Sequence, residues 1–380
     1  MKKIETKSIF FWSPMLSNVG TIKAVIGMAN SLDKFSKYKI YILDILGEFS
    51  IFNDLGRINF LRFIKINNII PNTGKIAKFA IIFFSILAIP FLIRKIIIYK
   101  PRYIITSLIG FIPIVIKLIF KDIIIINSIQ GYPKFNLFRL LIWRFFYNRS
   151  DYLLTMTNKT KKMIENKIGV DSKKIIVIEN PVICRNVKMQ ALEQLDLSEK
   201  YIFKKKRIYC AIGRLTHQKN FFEMLEGFRR YYNEVDRNFN LIIIGEGELK
   251  KDLASYIKKN NLDNFYLLGF KKNPYKYLYR SDLYISTSLW EEPGHTLIES
   301  GYLNVPVLTS NCPNGPDEII INGYNGLKYE LGSITDFLNK LKIFNNLDEQ
   351  SKKTMTINFK KIIKNYTQFR FFRNISRVLV

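Results

Sequence analysis

Histidine is nearly absent from this 380-residue sequence: His217 and His295 are the only two. A serine or cysteine hydrolase that relies on an imidazole base has little to draw on. Cysteine is as scarce. Cys184, Cys210 and Cys312 lie far apart with no C-x-x-C pair, which speaks against a zinc site or a disulfide framework and fits a reducing cytosol. Acidic residues number 31 against 59 lysines and arginines, a formal net charge of +28. No zinc-finger spacing, RNP-type aromatic signature or basic heptad helix accompanies that charge, so no nucleic acid partner is expected. Met1-Lys2-Lys3 leads into the polar stretch Ile4 to Lys7, without the look of a signal peptide. The most apolar segment, Phe79 to Ile93, contains Pro90 and at roughly 15 residues falls short of the ~20 that a bilayer span needs.

What is present is an ordinary globular composition, 48% hydrophobic and 24% charged, long enough for two domains. The basic excess suits an anionic partner, either phosphorylated substrates or an acidic membrane surface. It also reflects a general richness in Lys, Ile and Asn, as expected of a genome biased towards A and T. Two readings stand for Phe79 to Ile93, which is flanked by Lys78 and Arg94-Lys95. One is a buried core helix. The other is a helix lying on the cytoplasmic leaflet with its basic flanks on anionic headgroups.

Short β-type runs alternate with helical ones along the chain. The first half offers strands at Ser8 to Trp12, Ile40 to Leu43, Tyr103 to Thr106, Asp122 to Ile126, Tyr152 to Thr155 and Lys174 to Ile178, with a helix at Thr21 to Leu32. A second series supplies strands at Ile208 to Ile212, Leu241 to Ile244, Phe265 to Leu267, Leu283 to Ile285 and Val305 to Leu308. Helices are expected there at Phe221 to Tyr232, Glu248 to Lys259 and Thr296 to Leu303. Such β-branched runs separated by helices call for parallel sheets covered on both faces. The expected plan is α/β: a Rossmann-like domain over 1–182, a polar linker over 183–205, a second Rossmann-like domain over 206–345, and a basic helical tail over 346–380 packing back on the first domain. Two doubly wound domains in tandem imply a central cleft, with ligands at the carboxyl ends of the strands.

Two stretches carry chemistry. Gly213-Arg214-Leu215-Thr216-His217-Gln218-Lys219-Asn220 joins a strand to a helix. Its Arg214 and Lys219 can converge on one anion, helped by the positive potential of the helix start. In Trp290-Glu291-Glu292-Pro293-Gly294-His295-Thr296-Leu297-Ile298-Glu299, two glutamates bracket a Pro-Gly turn and a helix start. The N–H groups near Thr296 to Ile298 would be unpaired helix-start donors that suit a diphosphate, while ionised carboxylates accept hydrogen bonds from sugar hydroxyls; His295, Thr296 and Leu297 are the donor-binding candidates of this turn.

Glu291, seven residues, then Glu299 resembles the Glu-x7-Glu signature of the retaining glycosyltransferases of family four, which have the GT-B fold. Gly213-Arg214-Leu215 with Lys219 resembles that family's GRL-x-x-x-K segment, Gly245-Glu246-Gly247 its GxG, and Asn304-Val305-Pro306-Val307 its G-x-P-V-I strand. Asn314-Gly315-Pro316-Asp317-Glu318-Ile319, then Gly323 and Asn325-Gly326, resembles a run common in bacterial surface-polysaccharide enzymes, those of O-antigen and capsule assembly.

The resemblance implies roles. Arg214 and Lys219 would hold the donor diphosphate, Glu299 the ribose, and Glu291 the transferred sugar. Asn18 and Gly20 before the first helix would face the same diphosphate. Gln130 stands where relatives often carry a histidine, and so is given only a hydrogen-bonding part. Glu292-Pro293 replaces the commoner Gly-Phe, and Val19-Gly20 a Gly-Gly pair. The implied reaction is retaining transfer of a hexose or N-acetylhexosamine from a UDP-sugar to a polyprenyl-diphosphate-linked saccharide at the inner leaflet. The departing diphosphate would help deprotonate the acceptor. No Asp-x-Asp motif is present, and neither a metal nor a cofactor beyond the nucleotide-sugar co-substrate is expected. Two alternatives stay open: an inactive, basic, membrane-associated binding protein of the same fold, and a sugar phosphorylase, for which no pyridoxal-phosphate lysine motif is found.

Overall fold

The computed structural model describes residues 7–16, 20–49, 57–66, 69–70, 74–133, 135–205 and 207–379. The chain divides into two compact units, one of residues 1–182 with 366–380 and one of residues 183–365.

The first unit holds a parallel sheet of β1 (Ser8–Trp12), β2 (Lys39–Asp44), β3 (Asn59–Arg62), β4 (Pro101–Thr106), β5 (Ile124–Ser128), β6 (Tyr152–Thr155) and β7 (Ile175–Val177), in the order β3-β2-β1-β4-β5-β6-β7. The second holds β8 (Arg207–Ile212), β9 (Phe239–Ile244), β10 (Phe265–Gly269), β11 (Leu283–Ser286), β12 (Val307–Ser310) and β13 (Leu327–Tyr329), in the order β10-β9-β8-β11-β12-β13, again parallel. Central strands such as β1 and β9 are buried along their whole length, as sheets covered on both faces require. Sequence patterning misses β3 and β13. Both are short edge strands, where little apolar signal is needed because one side of the strand is unpaired.

In each sheet the chain winds outward to one side and then restarts on the other. The order reverses between β1 and β4 and again between β8 and β11. Ligands of doubly wound sheets bind at the carboxyl ends of strands at such a reversal.

The expected linker is not one. Residues Arg185–Ala191 form a helix and Leu197–Lys204 a 3-10 segment within the second unit. Their polar composition conceals anchors: Ile202 and Leu195 are buried. Asn240 Nδ2 donates to the Ile202 carbonyl at 2.5 Å, and Lys271 Nζ reaches Glu199 at 2.5 Å. The tail also divides differently from expectation. The helix Glu349–Ile363 belongs to the second unit and packs on the helix His295–Tyr302. Only residues from Tyr366 onward join the first unit. There the helix Gln368–Ile375 lies on the helix Gly20–Phe35: Phe35 meets Phe369 and Phe372 with ring centroids 5.6 and 5.7 Å apart, and Ser31 Oγ donates to the Gln368 carbonyl at 2.5 Å.

Phe79 to Ile93 does not form one helix. The helices Gly74–Leu87 and Ile89–Tyr99 meet at Ala88 with a bend of 48°, and Pro90 sits in the first turn of the second, where its missing N–H leaves no gap. Among the described residues no single helix is long and apolar enough to cross a membrane.

At the carboxyl end of β2, Glu48 is buried and its carboxylate accepts the Leu46 N–H at 2.6 Å. Burial, and then the charge of neighbouring Asp44, push its pKa well above the ordinary 4.5. The folded state therefore holds the proton more tightly than the unfolded chain. That contribution is fully present below the ordinary carboxylate range and is lost as pH rises towards the folded value. Glu48→Gln keeps the acceptor and removes the ionisation. Its thermal midpoint should gain on wild type as pH rises from about 5 to about 8, read by circular dichroism; a pH-independent difference would contradict this account.

Candidate active site

The reversal between β8 and β11 gathers the sequence-predicted residues of the second unit. The Gly213–Asn220 stretch leaves the end of β8, and Thr287 to Gly294 leave the end of β11. Hydrogen bonds stitch these loops together. Leu289 N–H donates to the Gln218 carbonyl at 2.8 Å, Gln218 Nε2 to the Trp290 carbonyl at 2.9 Å, and Thr287 Oγ1 to the Lys219 carbonyl at 3.0 Å. Gly245, at the end of β9, completes the floor. A Cβ there would lie 1.8 Å from the Gly213 carbonyl oxygen, so only glycine lets the two turns touch.

Across this seam Lys219 Nζ pairs with Glu291 Oε1, an oxygen that also accepts from Ser288 Oγ at 2.7 Å. Glu291 is 8% exposed. Its loop is held from the far side by a bridge to Asn314, by Gly315 N–H donating to the Glu291 carbonyl at 3.4 Å, and by Asn314 Nδ2 donating to Glu292. The Asn314-Gly315-Pro316 run thus shapes the Glu291 turn. Arg214 is exposed and, among the described residues, makes only a long contact, 3.4 Å, to Gln218 Oε1. Its guanidinium is available to an anion, while the Lys219 ammonium is engaged with one N–H and keeps two.

Gly294 precedes the helix His295–Tyr302 with φ of +94°, a backbone that side chains avoid. His295 and Thr296 are half-buried at the helix start and Leu297 is buried beneath it, and the first N–H groups of a helix lack intrahelical acceptors. One turn further along, Glu299 is 6% exposed and accepts from the Tyr275 hydroxyl at 2.7 Å. Burial, and then the Glu299 charge, push the Tyr275 phenol far up, so that it remains a donor. Tyr284, buried on β11, is raised likewise by burial and by the charges of Glu291 and Glu299, against a Thr296 hydroxyl that favours its ionised form. It stays neutral near both carboxylates. Sequence reasoning missed Tyr275, Tyr284 and Ser288. For Ser288 the spacing of three residues before Glu291 was a usable hint; Tyr275 is brought in by tertiary packing alone.

The first-unit candidates do not form such a cluster. Gly20 is the exposed first residue of the helix Gly20–Phe35, at the β1/β4 reversal of its own sheet. Asn18 lies outside the described residues. Gln130 follows β5, where its amide is paired with Asn180 (Asn180 Nδ2 donates to Gln130 Oε1 at 2.7 Å) and donates to Ser128 Oγ.

Residues 194–361 match the family model described as Glycosyl transferases group 1, and that segment holds every second-unit candidate. An uncharacterised glycosyltransferase of Methanocaldococcus jannaschii is 36% identical over 51% of this chain and 48% of its own length. The N-acetylgalactosamine-N,N'-diacetylbacillosaminyl-diphospho-undecaprenol 4-alpha-N-acetylgalactosaminyltransferase of Campylobacter jejuni is 28% identical over 52% and 51%. The chain thus spans about half the length of these curated relatives in each match. The crystal structure of Anabaena HepE in complex with UDP and glucose matches 98% of this chain and 99% of its own with a TM-score of 0.79, at 15% identity. The fold is therefore GT-B, two parallel α/β units.

The geometry separates the two cations. Removing one partner of a largely buried ion pair strands the other, so Lys219→Met should destabilise the protein by up to about 3–5 kcal/mol. Arg214→Ala, at an exposed site, should change stability by less than about 0.5 kcal/mol. Urea denaturation of both variants measures the contrast, and equal stabilities would show that the Lys219–Glu291 pair does not hold the loops.

Proposed function

We propose that this chain is a retaining glycosyltransferase that moves a hexose or N-acetylhexosamine from a UDP-sugar to a lipid-linked saccharide acceptor, in the assembly of bacterial surface polysaccharide such as O-antigen or capsule. The observation that carries the reading is the Lys219–Glu291 pair beside the helix start that leads to Glu299, at the reversal point of the second sheet. Arg214, the remaining Lys219 donors and the N–H groups of His295, Thr296 and Leu297 form a cationic rim suited to a diphosphate. Glu299, fixed by Tyr275, is placed to accept from ribose hydroxyls, and Glu291 from the transferred sugar.

In this proposal catalysis rests on stabilising the charge that develops on the departing diphosphate. The protein cations supply that charge, and no added metal is called for. The donor anion and Glu291 compete for Lys219, so donor arrival loosens the ion pair and turns the Glu291 carboxylate towards the sugar. Gly20 and Gln130 are assigned ligand contacts on the strength of the resemblance. The UDP donor is supported by the UDP bound to HepE, and the polyprenyl-linked acceptor by the undecaprenol-linked substrate named for the Campylobacter relative. An acceptor of that kind places the enzyme at the cytoplasmic face of the membrane.

A panel of nucleotide sugars scored by nucleotide release, with extracted lipid-linked acceptors, tests the reaction; no release with any donor would end it. With the active donor, Arg214→Ala should lose about 2.7–4 kcal/mol of transition-state stabilisation, and Glu291→Gln should depress turnover with its fold intact. Activity unchanged by a chelator is expected. Wild-type rates in Arg214→Ala would remove the phosphate assignment.

A further inference from the structure

We propose that one face of the first unit is a docking surface for an anionic lipid bilayer, built on the outward side of the bent helix pair Gly74–Leu87 and Ile89–Tyr99. The helix Gly74–Leu87 is apolar on both sides. Ala77, Ala80 and Ser85 face the protein, all buried, and Ile81 and Phe84 pack half-buried against the core. The outward side is apolar too: Ile76 is 66% exposed, Phe79 72% and Phe83 47%, and the two phenylalanine rings stack 6.1 Å apart. A surface helix ordinarily shows water its polar side. Here Lys78 is accompanied on that side by a row of large apolar groups.

The same layer continues the surface. The helices Phe111–Lys117 and Leu137–Tyr147 contribute Ile112, Ile116 and Phe146 to the apolar core that Ala80 and Leu92 enter, so all of these helices cover one face of the sheet. Beyond those inward residues, Leu118 and Ile119 in the turn after Lys117 and Leu137, Phe138 and Leu141 of the second helix are each more than 60% accessible. Apolar surface of this extent marks an interaction site.

Charge selects the occupant. Between Asp54 and Asp151 the sequence carries fifteen lysines and arginines and a single acid, Asp122. The cations are interleaved with the apolar groups. Lys78 adjoins Phe79, Arg139 follows Phe138, the Lys95 ammonium lies 5.3 Å from the Phe91 ring centroid, and the Arg149 guanidinium 3.6 Å from that of Phe145. Stems along apolar surface with cationic heads at its margin suit an acyl layer beneath anionic headgroups. A second copy of this chain would bring the same cations against themselves, at a net charge of +28 each. The pair lies on the bilayer and does not cross it: Ala77, Ala88, Leu92 and Ile96 are held in the same core as Leu43 and Ile104 of the sheet.

This deepens the membrane element of the proposed function and is independent of the sugar chemistry. The test is flotation of the full-length protein with phosphatidylcholine vesicles containing or lacking phosphatidylglycerol. Wild type should float with the anionic vesicles and much less with the neutral ones. Phe79→Ser and Phe83→Ser should each weaken binding roughly tenfold, with thermal midpoint and lipid-free nucleotide release unchanged. Wild type unbound to anionic vesicles, or Phe variants that bind like wild type, would overturn the proposal. So would a lipid-free dimer that the Phe variants dissociate, since the face would then belong to a second copy. A protein that floats as expected but releases no nucleotide would sink the glycosyl-transfer reading alone.

Discussion

The second unit sets a lysine and a glutamate, 72 residues apart in sequence, against each other where its strand order reverses. Lys219 lies near the end of the loop from β8, in the short 3-10 turn His217–Lys219, and Glu291 lies in the loop from β11, and the pair adds a bond across the seam to the backbone bonds that hold each loop. A largely desolvated ion pair is weakly stabilising as a whole yet strongly destabilising when halved. It therefore acts less as glue than as a condition: the loops are in register only when both charges meet. An anionic ligand beside Lys219 alters that condition directly, so binding and loop geometry are linked by the same ammonium.

The neighbouring groups make the arrangement stiff. Ser288 shares the Glu291 oxygen with Lys219, and Asn314 with Gly315 braces the turn from behind. Tyr275 does for Glu299 what Ser288 does for Glu291. Both are neutral donors to a buried carboxylate, which orients the acceptor without neutralising its charge. The helix His295–Tyr302 that carries Glu299 is in turn covered by Glu349–Ile363, which explains why that late helix belongs to the second unit.

The first unit departs from the usual economy of a surface. It buries alanines and leaves phenylalanines in water on the same helix. Burying a side chain of that size is worth about 1.5–3 kcal/mol, so the outward face forgoes stability that the fold could have gained by turning it inward. The inward side is already served by Ala77, Ala80, Ile81 and Phe84, which pack with Leu43 and Ile104 of the sheet and Leu92 of the next helix, and a close-packed core has no further room for the outward side chains. Composition alone could not choose between a core helix and a surface one at Phe79 to Ile93, because the segment is both: Ala80, Phe84 and Leu92 turn to the core while Phe79 and Phe83 turn outward.

The sequence by itself determined the two doubly wound units, eleven of the thirteen strands and the stretches Gly213–Asn220 and Glu291–Glu299. These are local properties. Apolar runs, β-branching, and glycine or proline punctuation act over a few residues, and motif spacing is counted along the chain. Tertiary structure alone decided that Lys219 faces Glu291, that Tyr275 holds Glu299, that residues 183–205 are packed rather than linking, and that Phe79 points outward. Each of those depends on which distant segment occupies the neighbouring volume. A polar stretch is absorbed when one isoleucine and one glutamate find partners across the sheet, and the helical period of an apolar run says which residues share a face but not which face the core will take.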